Sequence, residues 1–538
     1  MDLILWNGKV ETMDPGLPQG EAVAVKDGVI RRVGDNAGVL ELATQRTRVV
    51  DLGGRLLLPG FNDSHMHLLS CGYAREKAAL EGADGIGALI ALGRSFLEAH
   101  PGIPWLQGRG WNNERWADPE LPTRWDLDRI SSQIPITFMR DCNRMAVVNS
   151  RALEAMGVTR GTRQPEGGRF DVDGQGEPLG IFRDSALELV ERTLPRVSKA
   201  DLKRMLSGAA RDVLRCGITA VQSDDFEAVT EREYPLLLPA FRELAAAGQL
   251  PVRVYEQCRW TTPARLREYL DAGCLAGTDA GRFQTGPLKI LADGVLGARS
   301  AYLTRPYADA PETCGQPRYT QEALDELVEA AHCAEMPVAI HAIGDKGLDM
   351  ALDAIERAML RHPGGNLRHG VIHCQVTRPE QLIRLRKLDL VAHLQPIFVD
   401  ADQYIVEKRV GPELARTSYS WRTIADLGVH YAFGSDSPID TFDVMDGIYC
   451  AVTRKGRNGC PPGGWMPEQR LTVERAVYGY TLGAAYAAHQ ENLRGSISVG
   501  KLADMAVLER DIFTIPTDEI KDVAVDMTIL DGEIVYRR

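Results

Sequence analysis

Two histidines one residue apart, His65 and His67, follow an apolar run in Leu58-Pro-Gly-Phe-Asn-Asp-Ser-His-Met-His-Leu69. Along an extended chain alternate side chains share a face, so both imidazoles point the same way. Two neutral imidazoles aimed at one point make half of a metal site, because each offers a lone pair at neutral pH. A bare His-x-His is equally compatible with a coincidental pair on a half-exposed strand. Four more residues bear on the choice: Lys289 between Leu288 and Ile290, His341, His373, and Asp436 in Gly434-Ser-Asp-Ser-Pro438. Singly, each has an ordinary reading: a snorkelling lysine, two satisfied core histidines and a turn aspartate. A lysine set between apolar strand residues needs a reason to be there.

All six gain a common purpose if the runs that carry them are strands of one parallel sheet. The centre of the chain alternates short apolar runs with helical patterns, which predicts strands joined by crossover helices. The runs are 217–222, 251–255, 286–291, 336–341, 370–374, 390–394 and 429–433; the strand before His65 makes eight. Eight βα units specify an α/β (β/α)8 TIM barrel, whose active residues gather where the strands end. His65, His67, Lys289, His341, His373 and Asp436 all fall at or near such ends. Their coincidence at one barrel mouth points to a metal site.

Both chain ends differ from this centre. Residues 1–57 and 490–538 are rich in short strands, with Asn-Gly and Asp-Gly turns at Asn7-Gly8, Asp27-Gly28 and Asp531-Gly532. They predict one small β-sandwich built from both termini. The barrel then occupies 58–489. Residues 72–200 are longer than any crossover requires and carry Trp105, Trp111, Trp116 and Trp125, which predicts an inserted subdomain over the barrel mouth.

A net charge of -12 argues against a nucleic-acid or anionic membrane partner. The ten cysteines are scattered without a Cys-x-x-Cys pair, which fits reduced thiols in the cytoplasm rather than a disulfide framework. The first residues carry no signal-peptide pattern and no apolar run is long enough to span a bilayer. The expected partner is a small molecule, with a homodimer as the expected assembly if there is one.

The ligand pattern of His-x-His, strand lysine, two strand-end histidines and a final aspartate resembles the amidohydrolase superfamily, and the resemblance runs end to end. More narrowly, Gly108-Arg-Gly-Trp111, Lys289-Ile-Leu-Ala-Asp-Gly-Val-Leu-Gly-Ala-Arg-Ser-Ala301, Ala339-Ile-His-Ala-Ile-Gly-Asp345, Ile372-His-Cys-Gln375 and Gly434-Ser-Asp-Ser-Pro438 resemble its type-3 branch, which includes the N-substituted formamide deformylases. The resemblance implies two divalent ions, most often zinc, held by His65 and His67 on one side and His341 and His373 on the other. It implies that carbon dioxide carboxylates Lys289 to a bridging carbamate, and that Asp436 binds or touches metal. Such a pair of ions lowers the pKa of a bridging water. Asp436 would then act as general base and general acid in hydrolysing the C–N bond of an amide, N-acyl or N-formyl compound.

Two departures accompany the likeness. Asn143 stands near the place of a histidine usual in relatives, and Ile372 where a glutamate often precedes the strand-six histidine. Both point to altered specificity, since neither is a proposed ligand. Trp111, Asp224, Asp293, Arg299 and His393 are further candidates for substrate contact or for bracing the centre. The same ligands are compatible with an ester, lactone or cyclic-amide hydrolase and with a metal-dependent isomerase. A non-catalytic scaffold would be expected to have lost some of them.

Overall fold

The computed structural model describes residues 1–142, 144–229, 233–274, 276–277 and 281–538. It divides into two compact units, one of Met1–Ser70 with Leu206–Arg538 and one of Cys71–Met205.

The first unit is built on an eight-stranded parallel sheet closed as a TIM barrel. Its strands are β1 (Phe61–Met66), β2 (Ile218–Ser223), β3 (Arg253–Arg259), β4 (Phe283–Leu291), β5 (Val338–Ala342), β6 (Gly370–His373), β7 (Val391–Leu394) and β8 (His430–Phe433). Neighbours pair in that order, for example Lys289 with Ala339 and Ala342 with His373. The barrel closes between β8 and β1 by loop contacts. The Asp436 N–H donates to the His65 carbonyl and the His67 N–H to the Ser437 carbonyl, both at 2.8 Å. Gly434 permits this approach, since a Cβ there would meet the His65 nitrogen at 2.5 Å.

The crossover helices are amphipathic. The helix Asp345–Arg361 buries Leu348, Ala351, Leu352, Ile355 and Ala358, a spacing of three and four residues that puts one stripe against the sheet. Leu348, Leu352 and Ile355 each contribute about 1.5–3 kcal/mol on full burial. The preceding helix, Gln321–Cys333, starts at Thr320, whose hydroxyl accepts the Ala323 N–H.

Both termini form the expected β-sandwich. One sheet has four strands and the other six, the latter joining Met505–Leu508 and Val525–Leu530 to N-terminal strands. Leu3, Leu5, Val23 and Val25 of one sheet pack on Val10, Leu57, Val507, Met527 and Ile529 of the other. The Asp-Gly turns at 27–28 and 531–532 each close a hairpin. Two details differ from the sequence reading. The Asn7-Gly8 turn passes from one sheet to the other instead of closing a hairpin. The apolar run Leu56–Pro59 is a sandwich strand paired with Met505–Leu508, so the barrel's first strand begins only after Gly60. An apolar run buried on both faces reads the same in a barrel and in a sandwich, which is why its sheet was not legible.

The second unit contains a six-stranded mixed sheet, from Lys77–Ala79 at one edge to Gly168–Val172 at the other. Its core gathers Leu80, Leu106, Trp111, Trp116, Phe138 and Val147.

Candidate metal centre

Four imidazoles and one carboxylate converge where β1, β5, β6 and β8 end. The rings of His65 and His67 lie 5.2 Å apart, those of His65 and His373 5.7 Å, and those of His341 and His373 4.5 Å. The Asp436 Oδ1 lies 3.2 Å from His65 Nε2 and 3.1 Å from His67 Nε2. The Lys289 Nζ is 3.0 Å from His65 Nε2 and 3.5 Å from Asp224 Oδ2. All of these side chains are buried, the most exposed at 8%.

Hydrogen bonds behind the rings fix which nitrogen faces the centre. His67 Nδ1 bonds the Asp224 carbonyl oxygen at 2.7 Å. A carbonyl only accepts, so Nδ1 carries a proton and Nε2 is the nitrogen turned to the centre. His65 Nδ1 donates to Gln257 Oε1 at 2.8 Å, and Gln257 Nε2 donates to the Ser64 carbonyl, which orients that amide. His373 Nδ1 likewise meets Gln395 Oε1 at 2.9 Å, with Gln395 Nε2 on the His393 carbonyl. His341 is reversed: its Nε2 donates to the Gly294 carbonyl at 3.1 Å, leaving Nδ1 with the lone pair. Bonds of this kind orient metal-ligating histidines and raise their basicity.

This arrangement is a test of whether a cation fits. Two imidazole nitrogens, His65 Nε2 and His67 Nε2, face one carboxylate oxygen at 3.1–3.2 Å. The carboxylate and the His65 lone pair need positive charge beside them in a buried site; the His67 proton and the Lys289 ammonium supply it here, and a metal ion would take the place of that proton. His65, His67 and Asp436 accordingly form a group whose donor atoms are close enough to share one ion. The residues therefore fit a bound metal.

The electrostatics follow from burial and from these contacts. Burial alone would raise the Asp436 carboxyl, yet the His65 and His67 imidazoles beside it hold it well below the usual range. Burial opposes a charge on His67, but Asp436 overcomes it and lifts the imidazole to about 9. Burial, reinforced by the Lys289 charge, lowers His65 to about 3 and His341 to about 4. Burial and then His341 push His373 far down.

Two residues of the centre hold a strained backbone. His373 has φ 80° and Asp436 φ 58°, both left-handed. Each costs on the order of 1–3 kcal/mol and persists only where surroundings enforce it. For Asp436 the enforcing group is Asp63, which accepts the Ser435 N–H and hydroxyl and the His65 N–H. Burial pushes Asp63 up to about 7.

The remaining sequence candidates separate. Asp224 lies against the centre. Asp293 instead accepts the Ile343, Gly344 and Tyr302 N–H groups and sits 3.5 Å from His341, so it braces the β5 loop and not Lys289. Arg299 pairs with Asp309, away from the cluster. His393 packs over Gly370 and against the Ser64 backbone, behind the centre, where the Lys289 charge still reaches it. Trp111 is a core residue of the second unit, its indole donating to the Phe138 carbonyl. Asn143 lies outside the described residues. Sequence reasoning missed Gln257, Gln395, Asp63 and Glu227. A signal was available for the two glutamines: Gln395 directly follows β7, and Gln257 lies near the end of β3.

The Amidohydrolase family model matches residues 48–536. The chain belongs to the amidohydrolase family. It is 33% identical over 537 residues to the YtcJ protein of Bacillus subtilis, covering 99% of each. It is 31% identical to LONG AFTER FAR-RED 3 of Arabidopsis thaliana, over 99% of this chain and 91% of that protein. The N-substituted formamide deformylase of Arthrobacter pascens is 26% identical, with 100% of this chain and 98% of that one covered. Among solved structures, an uncharacterized metal-dependent hydrolase from Pyrococcus furiosus superposes with a TM-score of 0.78 at 28% identity, covering 95% of this chain and all of that one. These relatives place the family member in the type-3 branch. Among the described residues, no helix is long and apolar enough to cross a membrane.

Proposed function

We propose that this amidohydrolase is a metal-dependent enzyme that cleaves a non-peptide C–N bond in an amide, N-acyl or N-formyl compound. The observation that carries the reading is the meeting of two imidazole nitrogens with the Asp436 carboxylate, with the Lys289 Nζ 3.0 Å from His65 Nε2. The likeness to a formamide deformylase supports the substrate class.

Divalent ions would be held by His65 and His67 with Asp436, and by His341 and His373, with Lys289 between as a carbamate. When bound, they supply Lewis acidity toward a carbonyl and lower the pKa of water. The chain's own groups do the rest. Gln257, Gln395, the Asp224 carbonyl and the Gly294 carbonyl hold the four rings in one tautomer each. Asp63 holds the loop that carries Asp436 in its strained form. Asp436 accepts the proton of the attacking water at a carboxylate oxygen and delivers it to the departing nitrogen, so the amine leaves neutral.

A metal-reconstituted screen of N-formyl amines, N-acyl amines, N-acyl amino acids and lactones tests the proposal. Turnover of an N-formyl or N-acyl amine that a chelator abolishes and metal restores is the expected result. A protein that holds no metal after reconstitution, or that hydrolyses only the lactones, would contradict it.

A further inference from the structure

Asp224 is a buried carboxylate with nothing to satisfy it. The residue lies just past β2 and is 0% exposed. Among the described residues neither of its carboxylate oxygens accepts a hydrogen bond. An ionised carboxylate stripped of water costs several kcal/mol, so it is retained only where a positive charge faces it. The nearest cation is Lys289, whose Nζ lies 3.5 Å from Asp224 Oδ2, and the His67 imidazole also feels the Asp224 charge. Lys289 makes its closer contact elsewhere, 3.0 Å from His65 Nε2.

Carboxylation of Lys289 would remove that cation. The lysine would become an anion beside a second anion, in a site with almost no water. The pair is tolerable only if a cation lies against Asp224. Asp224 already belongs to such a set: its carboxylate, His67 and Glu227 offer donor atoms within 4.8 Å of one another. The main chain also fixes it there, because the Asp224 carbonyl holds the His67 ring and the Asp224 N–H donates to the Met66 carbonyl. Glu227 is a weaker member. It is half exposed, 4.0 Å from His67 Nδ1, and already paired with Arg259 at 3.4 Å.

We infer that Asp224 is a direct metal ligand supplied by the second barrel strand, adding a carboxylate to the six residues of the family pattern. The inference rests on the reading above that this centre binds metal. In the metal-free protein Asp224 is the counter-ion of the Lys289 ammonium; loading and carboxylation turn it from counter-ion to ligand.

The test uses the full chain, stripped and reloaded with zinc or cobalt. Metal affinity is measured by competition with a chromophoric chelator, and the cobalt protein by its visible absorption. Asp224→Asn keeps the shape and removes the charge. Its affinity should fall at least about tenfold, with a changed cobalt spectrum. Glu227→Gln should lose less. Asp224→Glu serves if the asparagine variant fails to fold, as judged by circular dichroism of the stripped protein; it should hold metal with a shifted cobalt spectrum. Labelled bicarbonate gives a second readout: the carbamate signal of the loaded parent should weaken in Asp224→Asn. Affinity within twofold of the parent with an unchanged cobalt spectrum would overturn the inference while leaving the metal centre intact, and so would a larger loss at Glu227 than at Asp224. A parent that binds no metal at all would overturn both this inference and the proposed function.

Discussion

The two sides of the metal centre are built from the same imidazoles and are electrically unlike. On the β1–β8 side, His65 and His67 share Asp436, whose charge lifts His67 to about 9. On the β5–β6 side, His341 and His373 have no such carboxylate; Asp293 stands 3.5 Å from His341 with its oxygens occupied by three backbone N–H groups. Burial therefore wins there, and both rings stay uncharged. The difference shows that burial alone does not set the character of a histidine: Asp436 reverses its effect on His67, while at His65, equally close, burial and the Lys289 charge prevail. Lys289 stands between the sides, touching His65 directly.

The largest effect should come from removing what joins the sides. Lys289→Ala is expected to lose metal and fall to background turnover, with recovery when a short carboxylate in the buffer fills the space. Elemental analysis beside turnover checks this; full activity without added carboxylate would dispose of the bridging role. Asp436→Asn should come next. It removes the proton carrier and leaves four imidazoles, so turnover should drop about 10²–10⁴-fold with most metal retained. An unchanged rate would show that the proton travels another way.

A finer comparison uses one residue behind each side. Gln257→Ala frees the His65 ring and Gln395→Ala the His373 ring, and neither side chain is among the proposed ligands. Each should weaken metal binding about 10–100-fold. The Gln257 variant should show the smaller loss, because Asp436 still draws its side of the centre together. Equal losses would mean that the carboxylate adds nothing to holding metal.

Much of this organisation was legible in the sequence. Period-two alternation predicted that His65 and His67 face one way, and apolar runs alternating with helical stripes predicted the barrel. Asp-Gly turns marked two of the sandwich hairpins. What stayed hidden depends on neighbours distant in sequence. Leu56–Pro59 is as apolar as a barrel strand, and only its pairing with Met505–Leu508 assigns its sheet. Arg299 looked like a site residue from its motif, yet Asp309 ten residues away claims it. The orphaned oxygens of Asp224 are a property of packing, since an aspartate at a strand end reads the same whether paired or bare.

The smallest effect probes how far the uncharged side extends. His369 stands just before β6, at the foot of the strand that ends in His373. Its Nδ1 accepts the Val338 N–H at 3.0 Å, so Nε2 carries the proton and donates to His332 Nδ1 at 2.9 Å. His332 Nε2 then donates to the His362 carbonyl at 2.9 Å. A proton added to His369 would have to displace the Val338 bond. Burial, followed by the neighbouring His332, lowers His369 to about 3, against an ordinary value of 6.5. Above pH 6.5 both folded and unfolded chains hold the ring neutral, and this group leaves stability unchanged. Between 6.5 and about 3 only the unfolded chain takes the proton, so the folded state loses up to about 1.4 kcal/mol per pH unit as pH falls. His369→Gln can accept from Val338 and donate to His332 without titrating. The melting temperature of the metal-free variant should therefore fall less steeply than the parent's between pH 6.5 and 4.5. Parallel slopes would show that neutrality on this side of the barrel is confined to the centre itself.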